Sequence, residues 1–313
     1  MPLKNDTYPL VSVAMCTYNG EVYLRDQLET IINQTYSTLE IVIVDDGSTD
    51  NTVQVIKEMQ ANDSRIHFFQ NEKNLGYNKN FEKAFSLCRG DFIAIADQDD
   101  IWETNKIEYM MKAWSEGSLF IYSLSGNFSN NDFADRKPAP DVVYTNIDDV
   151  HKLVFNSPVH GHACIFKKEL LPLCVPFPDT IYYDWWMSMH AAATGYIGCI
   201  PKTLTWHRAH NSNSSRQIMS VKNKMQRDEE LRKQSISFIE NFYNRNVLNG
   251  QQKTSLLKYA GLLKKLDGKT FSVAMFSYVF NNRKLIFHYK RKKLFITLSY
   301  LKHAYRMGYS GLL

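Results

Sequence analysis

Four times within the first hundred residues a short apolar run gives way to a polar break and then to apolar residues at helical spacing. VSVAMC (11–16) precedes Leu24, Leu28, Ile31 and Ile32, EIVIV (40–44) precedes Val53, Ile56 and Met59, and IHFF (66–69) precedes Phe81 and Phe85. FIAIA (92–96) closes the series, with a helix expected near Glu103. Runs that are apolar at nearly every position belong to strands covered on both faces. Alternation of such strands with helices implies right-handed crossovers and a parallel sheet. The expected class is α/β, doubly wound.

Beyond about residue 117 the rhythm loosens. Residues 126–146, rich in Asn, Asp, Pro and Ser, suggest a loop excursion. Strand and helix patterns return between 147 and 206, including ACIF and a helix opening at DWWMSMHAAATG, and from 220 onward only helices are expected. This divides the chain into an α/β core, 1–218, and a helical, basic region, 219–313. Charge follows the same division. Residues 271–313 hold eight Lys or Arg and no Asp or Glu, so the formal +5 of the chain leaves about −3 for the first 270 residues. Five scattered cysteines without a CxxC pair suggest reduced thiols in a cytoplasmic protein. The longest apolar run, FSVAMFSYVF, is ten residues, short of the ~18 that a membrane-spanning helix needs.

The sharpest chemical problem sits at the end of the fourth strand. In DQDD, Asp97, Asp99 and Asp100 crowd together directly after five apolar residues. Like charges repel, and a carboxylate is not buried ionised without a partner. A divalent cation would offset that repulsion, and oxygen donors suit Mg²⁺ or Mn²⁺. The plainer alternative is a solvated acidic turn capping the helix near Glu103. Ligands of open parallel sheets bind outside the carboxyl ends of the strands. TYNG, DDGS and DQDD stand at the ends of strands one, two and four, with Asp45 and Asp46 candidates for a base or ribose. No GxGxxG follows the first strand, GLLKKLDGKT has the wrong spacing for a phosphate loop, and HExxH and GxSxG are missing.

The order of these motifs resembles that of the family 2 glycosyltransferases. The carriers are VSVAMCTYNGEVYLRDQL, IVIVDDGSTDNT, NLGYNKNF, GDFIAIADQDDIW, YYDWW and HRAHNSN, spanning Val11 to about Asn213. DQDDIW, DWW and the Arg-x-His-x-x-Asn pattern most resemble the bacterial branch of rhamnosyltransferases of cell-surface polysaccharides. The resemblance implies the GT-A nucleotide-sugar-binding fold, Rossmann-like with a mostly parallel central sheet, here carrying a C-terminal helical extension. It implies that Thr17, Tyr18, Asn19 and Glu21 line the nucleotide pocket, that Asp45 and Asp46 hold base and ribose, and that Asn74, Gly76, Lys79 and Asn80 complete the pocket. Asp97 and Asp99 match the DxD pair, Asp99 as the direct metal ligand and Asp97 nearer the ribose. Asp100 is an extra acid, placed behind the metal or on the donor sugar. Asp184 matches the catalytic base, although an Asp before an aromatic helix is also an ordinary N-cap. His210 would be a further metal ligand, with His207 an extra imidazole able to substitute. His160, His162, Trp185 and Trp186 fall on the acceptor side.

The implied reaction is metal-dependent, inverting transfer of a sugar, rhamnose by the sub-family likeness, from a UDP- or dTDP-linked donor to a surface-polysaccharide or lipid-linked acceptor. The alternatives are a nucleotidyltransferase on a related sheet and an inactive glycan- or nucleotide-binding subunit. CTYNGE lacks the glycine-rich basic loop of the first, and intact Asp99 and Asp184 speak against the second. In the tail, Arg283, Lys284, Lys290, Arg291, Lys292 and Lys293 interleave with Leu285, Ile286, Phe287, Tyr289, Leu294 and Phe295. Such a segment suits the inner face of an anionic membrane. Packing on the core, a homo-oligomer contact or nucleic-acid binding would use the same charges; nucleic acid is not the expected partner.

Overall fold

A computed structural model describes residues 8–129, 132–139, 144–154, 157–179, 181–210, 224–245, 247–288 and 296–310. The strand-rich half runs β1 (Val11–Thr17), α1 (Leu24–Ile32), β2 (Leu39–Asp45), α2 (Thr52–Asn62), β3 (Ile66–Gln70), α3 (Tyr77–Leu87), β4 (Phe92–Ala96), β5 (Ile101–Trp102), α4 (Lys106–Lys112), β6 (Ser118–Ser129) and β7 (Asp132–Lys137). It continues through α5 (His151–Val154), β8 (Cys164–Lys167), α6 (Leu171–Cys174), α7 (Tyr183–Thr194) and β9 (Tyr196–Ala209). The helices α8 (Lys224–Tyr243), α9 (Gly250–Lys264), α10 (Val273–Asn281), α11 (Arg283–Ile286) and α12 (Ile296–Ser310) follow. The helical character expected after residue 220 holds throughout the described part.

The sheet order is β3-β2-β1-β4-β8-β6-β9-β5, with β7 paired to β6. The first four strands are parallel, as the alternation predicts, and every position of β2 is buried. Because side chains alternate across a strand, Val11, Val13, Met15, Ile41 and Ile43 face one core with Leu24, Leu28, Ile31 and Ile56. Ala14, Val42, Val44, Ile93 and Ile95 are buried on the opposite face, and α3 packs against β1 and β2. The rest of the sheet differs from the expected mostly parallel arrangement. β8 pairs antiparallel with β4 and β6, and β9 pairs antiparallel with β5. The excursion expected over 126–146 begins instead as strand, where β6 and β7 form an antiparallel pair. Polar side chains there conceal a strand because β7 is exposed along most of its length.

The chain separates into two compact units, 1–140 with 159–187 and 197–209, and 141–158 with 188–196 and 210–313. A single cut near residue 218 is therefore not the division found. Contacts inside the second unit give the reason: the His288 ring stands 3.0 Å from the Lys152 carbonyl, and His190 meets Phe242 edge-on at 4.8 Å. All five cysteines are free thiols.

At the amino edge of the parallel strands one buried carboxylate ties three segments. Glu40 on β2 accepts from the Ser12 hydroxyl at 2.5 Å, the Arg89 backbone N–H at 2.6 Å, its guanidinium at 2.7 Å and the Gly90 N–H at 3.3 Å. Burial alone would raise its pKa, but the bonds from Ser12 and Arg89 outweigh burial and hold it below 4.5. A depressed carboxyl contributes stability above its unfolded pKa and loses it as pH falls through the folded value. Glu40→Ala should cost about 3 kcal/mol at pH 7 by urea denaturation. The difference from the wild-type chain should shrink below about pH 4.5; an equal deficit at pH 7 and pH 3.5 would show that packing alone is lost.

Candidate functional site

The loops at the carboxyl ends of β1, β2 and β4 are laced to one another. The Tyr18 backbone N–H and carbonyl both meet the Gln98 amide, at 2.9 and 3.1 Å. Asn19, at φ +47°, donates its N–H to the Ser48 hydroxyl and accepts from the Thr49 N–H, both at 2.9 Å. The Gly20 N–H donates to Thr52 at 2.8 Å, and a Cβ there would fall 2.3 Å from Gln98. Glu21 accepts from the Asn51 backbone and side chain. The result is a rigid rim with Tyr18 about half exposed on it.

Asp45 and Asp46 build this rim from beneath. Asp45 is fully buried, accepting from Thr17 at 2.9 Å, from the Gly47 and Ser48 N–H groups at 3.1 and 2.9 Å, and from Gln70 at 3.3 Å. Asp46 accepts from Asn71 and the Leu75 N–H at 2.8 Å and from the Gly76 N–H at 2.9 Å. Expected to receive a base and ribose, both carboxylates are already occupied by protein donors. Buried carboxylates demand that satisfaction. Asn80, also expected in the pocket, is buried and donates to the Val44 carbonyl at 3.0 Å. Lys79, expected on phosphate or base, has its ammonium 3.2 Å from Glu82 and 3.3 Å from the Phe177 carbonyl. Asn74 caps the turn by accepting from the Gly76 N–H at 3.0 Å, and Gly76 takes the φ of +79° that favours glycine.

The DQDD run is not a helix cap: β5 intervenes, and α4 begins at Lys106 behind Asn105, which makes no side-chain cap bond. Asp100 is completely buried, whereas Asp97 and Asp99 are partly exposed. Asp100 Oδ1 lies 3.0 Å from His207 Nδ1 and 3.3 Å from the Arg208 N–H. Among the described residues Asp100 Oδ2 is buried with no hydrogen-bond partner, and His162 Nδ1 stands 3.5 Å from it and 3.4 Å from Asp97. Donor atoms of Asp100, His162 and His207 all lie within 4.8 Å of one another. The antiparallel register explains why His207 occupies this place rather than His210: Ile101 pairs with Trp206, which brings the neighbouring His207 opposite Asp100. His210 follows the last residue of β9 and belongs to the second unit. Asn213 of the same motif lies outside the described residues.

Electrostatics separates the two imidazoles. Burial drives His162 down to about 4, only partly offset by Asp100, so its ring is neutral at physiological pH. Burial opposes charge on His207 too, but its bond to Asp100 and the charges of Asp100, Asp99 and Asp97 push it up to about 9. Burial likewise raises the Asp97 carboxyl. Arg208 is 2% exposed and fastens the run from behind, donating to the Asp99 carbonyl and to Asp26, each at 3.0 Å. A neutral imidazole, carboxylates and an orphaned buried oxygen form a donor set that fits a divalent cation, and the imidazole suits Mn²⁺ better than Mg²⁺.

Asp184 lies within the first turn of α7 rather than at its cap. Its oxygens accept from the Gly161 N–H at 3.0 Å and the Trp185 N–H at 2.8 Å. Burial raises its pKa despite these two bonds and the nearby His160. Gly161 admits no side chain, since a Cβ would fall 2.5 Å from the Tyr183 hydroxyl. The rings of His160, His162 and His207 stack in parallel, 5.7 and 5.4 Å apart. The turn from His160 to His162 therefore touches Asp184 through Gly161 and the acidic run through His162. Trp185 is partly exposed, but Trp186 is entirely buried with its indole N–H on the Cys174 carbonyl at 2.8 Å, which removes it from the acceptor side.

Sequence reasoning passed over Asn78. Its amide donates to the carbonyls of Pro178 at 2.8 Å and Ile181 at 2.6 Å, and its oxygen accepts from the Tyr183 N–H at 3.1 Å. Those bonds shape the approach to α7 and so place Asp184. Asn78 lies within NLGYNKNF, between two residues that were singled out, and its role depends on contacts about a hundred residues away. Gly161, whose N–H meets Asp184, was missed for the same reason.

Residues 12–172, just over half the chain, match the family described as "Glycosyl transferase family 2". The chain belongs to that family and is a glycosyltransferase. It is 31% identical over 182 residues to the UDP-Glc:alpha-D-GlcNAc-diphosphoundecaprenol beta-1,3-glucosyltransferase WfgD of Escherichia coli, covering 58% of this chain and 69% of that one. A glycosyltransferase of Methanocaldococcus jannaschii described as uncharacterized is 43% identical over 189 residues, covering 57% of this chain and 64% of its own length. The fold matches that of S. aureus TarS 1–349 in complex with UDP-GlcNAc, with TM-score 0.61 at 18% identity over 96% of this chain and 90% of that one. A mannosyltransferase of Pyrobaculum calidifontis in complex with GDP-Man and Mn²⁺ aligns with TM-score 0.54 at 16% identity, covering 97% of this chain and 88% of that one. These likenesses establish the GT-A-like architecture.

Proposed function

We propose that this chain is an inverting glycosyltransferase of polysaccharide biosynthesis. It takes a sugar from a UDP- or dTDP-linked donor and transfers it to a hydroxyl of a surface-polysaccharide or lipid-linked acceptor. The observation that carries the reading is the turn from His160 to His162, which touches the carboxylate of Asp184 on one side and the acidic run on the other. Asp184 accepts the acceptor proton as that oxygen bonds to the anomeric carbon and the bond to the diphosphate breaks. A base on the face opposite the leaving group gives inversion. The raised carboxyl of Asp184 suits the role, since a base works best when its pKa approaches the working pH. Tyr18, half exposed on the rim, is the residue proposed to lie against the base, with Thr17, Asn19, Glu21, Asn74 and Gly76 shaping the loops around it.

The metal is proposed to be held by Asp99, Asp97 and Asp100, with His162 and His207 beside them. His210 is proposed only as a ligand from the following loop. When bound, the cation offsets the charge of the departing diphosphate. WfgD, named for a β-1,3 linkage made from UDP-glucose, supports a uridine donor and a lipid-linked acceptor; TuaG of Bacillus subtilis, 34% identical over 118 residues, is named for teichuronic acid biosynthesis. The motif likeness to rhamnosyltransferases supports a dTDP donor. A hydrolysis screen of UDP- and dTDP-sugars separates the two.

A peripheral position on the cytoplasmic face of a membrane is proposed for the second unit. No helix among the described residues is long and apolar enough to cross a bilayer. α12 exposes Leu298 and Tyr305 beside Lys302 and Arg306, with no acidic residue on the helix. Lys290, Arg291, Lys292 and Lys293, central to this expectation, lie outside the described residues.

Asp184→Asn should keep donor affinity and lose transfer by ~10²–10⁴-fold. In the wild-type enzyme kcat should fall toward acid pH at a value above 3.8, the ordinary value for Asp, because only the ionised carboxylate accepts a proton. Normal transfer by the variant would reduce Asp184 to a structural residue. For the metal, Asp99→Ala and Asp100→Asn should each weaken Mn²⁺-dependent UDP or dTDP binding by about tenfold or more; titration calorimetry giving wild-type affinity in both would eliminate the site. Finally, full-length protein should co-sediment with phosphatidylserine vesicles at low salt and release as ionic strength rises. Indifference to such vesicles at low salt would end the membrane assignment.

A further inference from the structure

We infer that Lys106 is a positioning residue that sets the turn from His160 to His162, and through it the placement of Asp184 against the donor site. This inference rests on the reading of Asp184 as the base. Lys106 is completely buried at the start of α4, an uncommon setting for an ammonium group. Its Nζ donates to the His162 carbonyl at 2.6 Å and lies 3.4 Å from the centre of the Trp102 ring. Thr205 approaches the same carbonyl at 3.4 Å. The ring of His162 is fixed separately, 2.8 Å from the Ser125 hydroxyl through Nε2.

The anchored carbonyl of His162 and the Gly161 N–H that donates to Asp184 belong to consecutive residues. Gly161 is packed against Tyr183 too tightly for any Cβ, so a shift of the turn is transmitted directly to the first turn of α7. A buried ammonium is costly unless its environment repays it. Burial pulls Lys106 down to about 7, only partly offset by the charges of Asp100 and Asp97, and with or without the extra proton its Nζ–H groups can donate to the His162 carbonyl beside the Trp102 face. An apolar side chain of similar length would fill the space without that cost, so the ammonium's contribution is where it holds the carbonyl.

The test is a double-mutant cycle on the full-length enzyme, using whichever member of the UDP- and dTDP-sugar panel is hydrolysed. Lys106→Met preserves length and removes the donor and its charge. It should lower kcat by about 10²-fold, the scale of a displacement near 1 Å at a reacting group, while donor KM changes by less than about threefold. Added to Asp184→Asn it should cause no further loss, because its effect passes through that carboxylate. Ser125→Ala, which loosens the same turn without altering buried charge, should show the same split to a smaller degree and supplies the measurement if Lys106→Met does not fold. Multiplicative losses in the double variants, or a rise in donor KM with kcat unchanged, would overturn the inference and make Lys106 a counter-charge to the acidic run. Full activity of Asp184→Asn by itself would defeat the base reading and this inference together, so the two failures are distinguishable.

Discussion

The carboxylate of Asp100 is the constraint around which the active end of the first unit is organised. A buried carboxylate must be compensated, and Asp100 draws its hydrogen bonds from a segment distant in sequence, His207 and the Arg208 N–H from β9, while His162 from the turn before β8 stands 3.5 Å from its other oxygen. Each compensating contact also places a group with a chemical use. Drawing β9 to β5 orients Arg208 onto the Asp99 carbonyl, which fixes the middle of the acidic run. Drawing His162 inward brings Gly161 against Asp184.

The same principle governs the parallel edge. Asp45 and Asp46 collect several protein donors each and hold the DDGS loop and the NLGYN turn in shape. Glu40 performs the corresponding task at the opposite end of the strands. Carboxylates bury at both ends of the sheet because backbone N–H groups in the connecting loops need acceptors, and one carboxylate satisfies several. Asp97, Asp99 and Asp184, by contrast, are left partly exposed.

The two imidazoles facing Asp100 show how local setting divides one residue type into two states. His162 lies deep, loses its charge to burial and presents a neutral ring. His207, hydrogen-bonded to the carboxylate and less buried, keeps its proton to about pH 9.

Local pattern determined the four parallel strands, their helices and the placing of the TYNG, DDGS and DQDD motifs at the carboxyl edge. Alternation of apolar runs with helical spacing leaves few other ways to cover both faces of a sheet, and the family resemblance rests on those same segments. Tertiary structure decided what local pattern does not encode. The antiparallel half of the sheet was hidden because β7 is polar and exposed, and the second unit gathers segments from three parts of the chain. Register between β5 and β9 selected His207 over His210 as the partner of Asp100. Packing turned Trp186 inward and left Trp185 partly exposed, a difference that two adjacent identical residues cannot announce. Asn78, Lys106 and Gly161 have roles defined by partners tens of residues away, and hydrogen-bond satisfaction in a dry interior, rather than composition, assigned them.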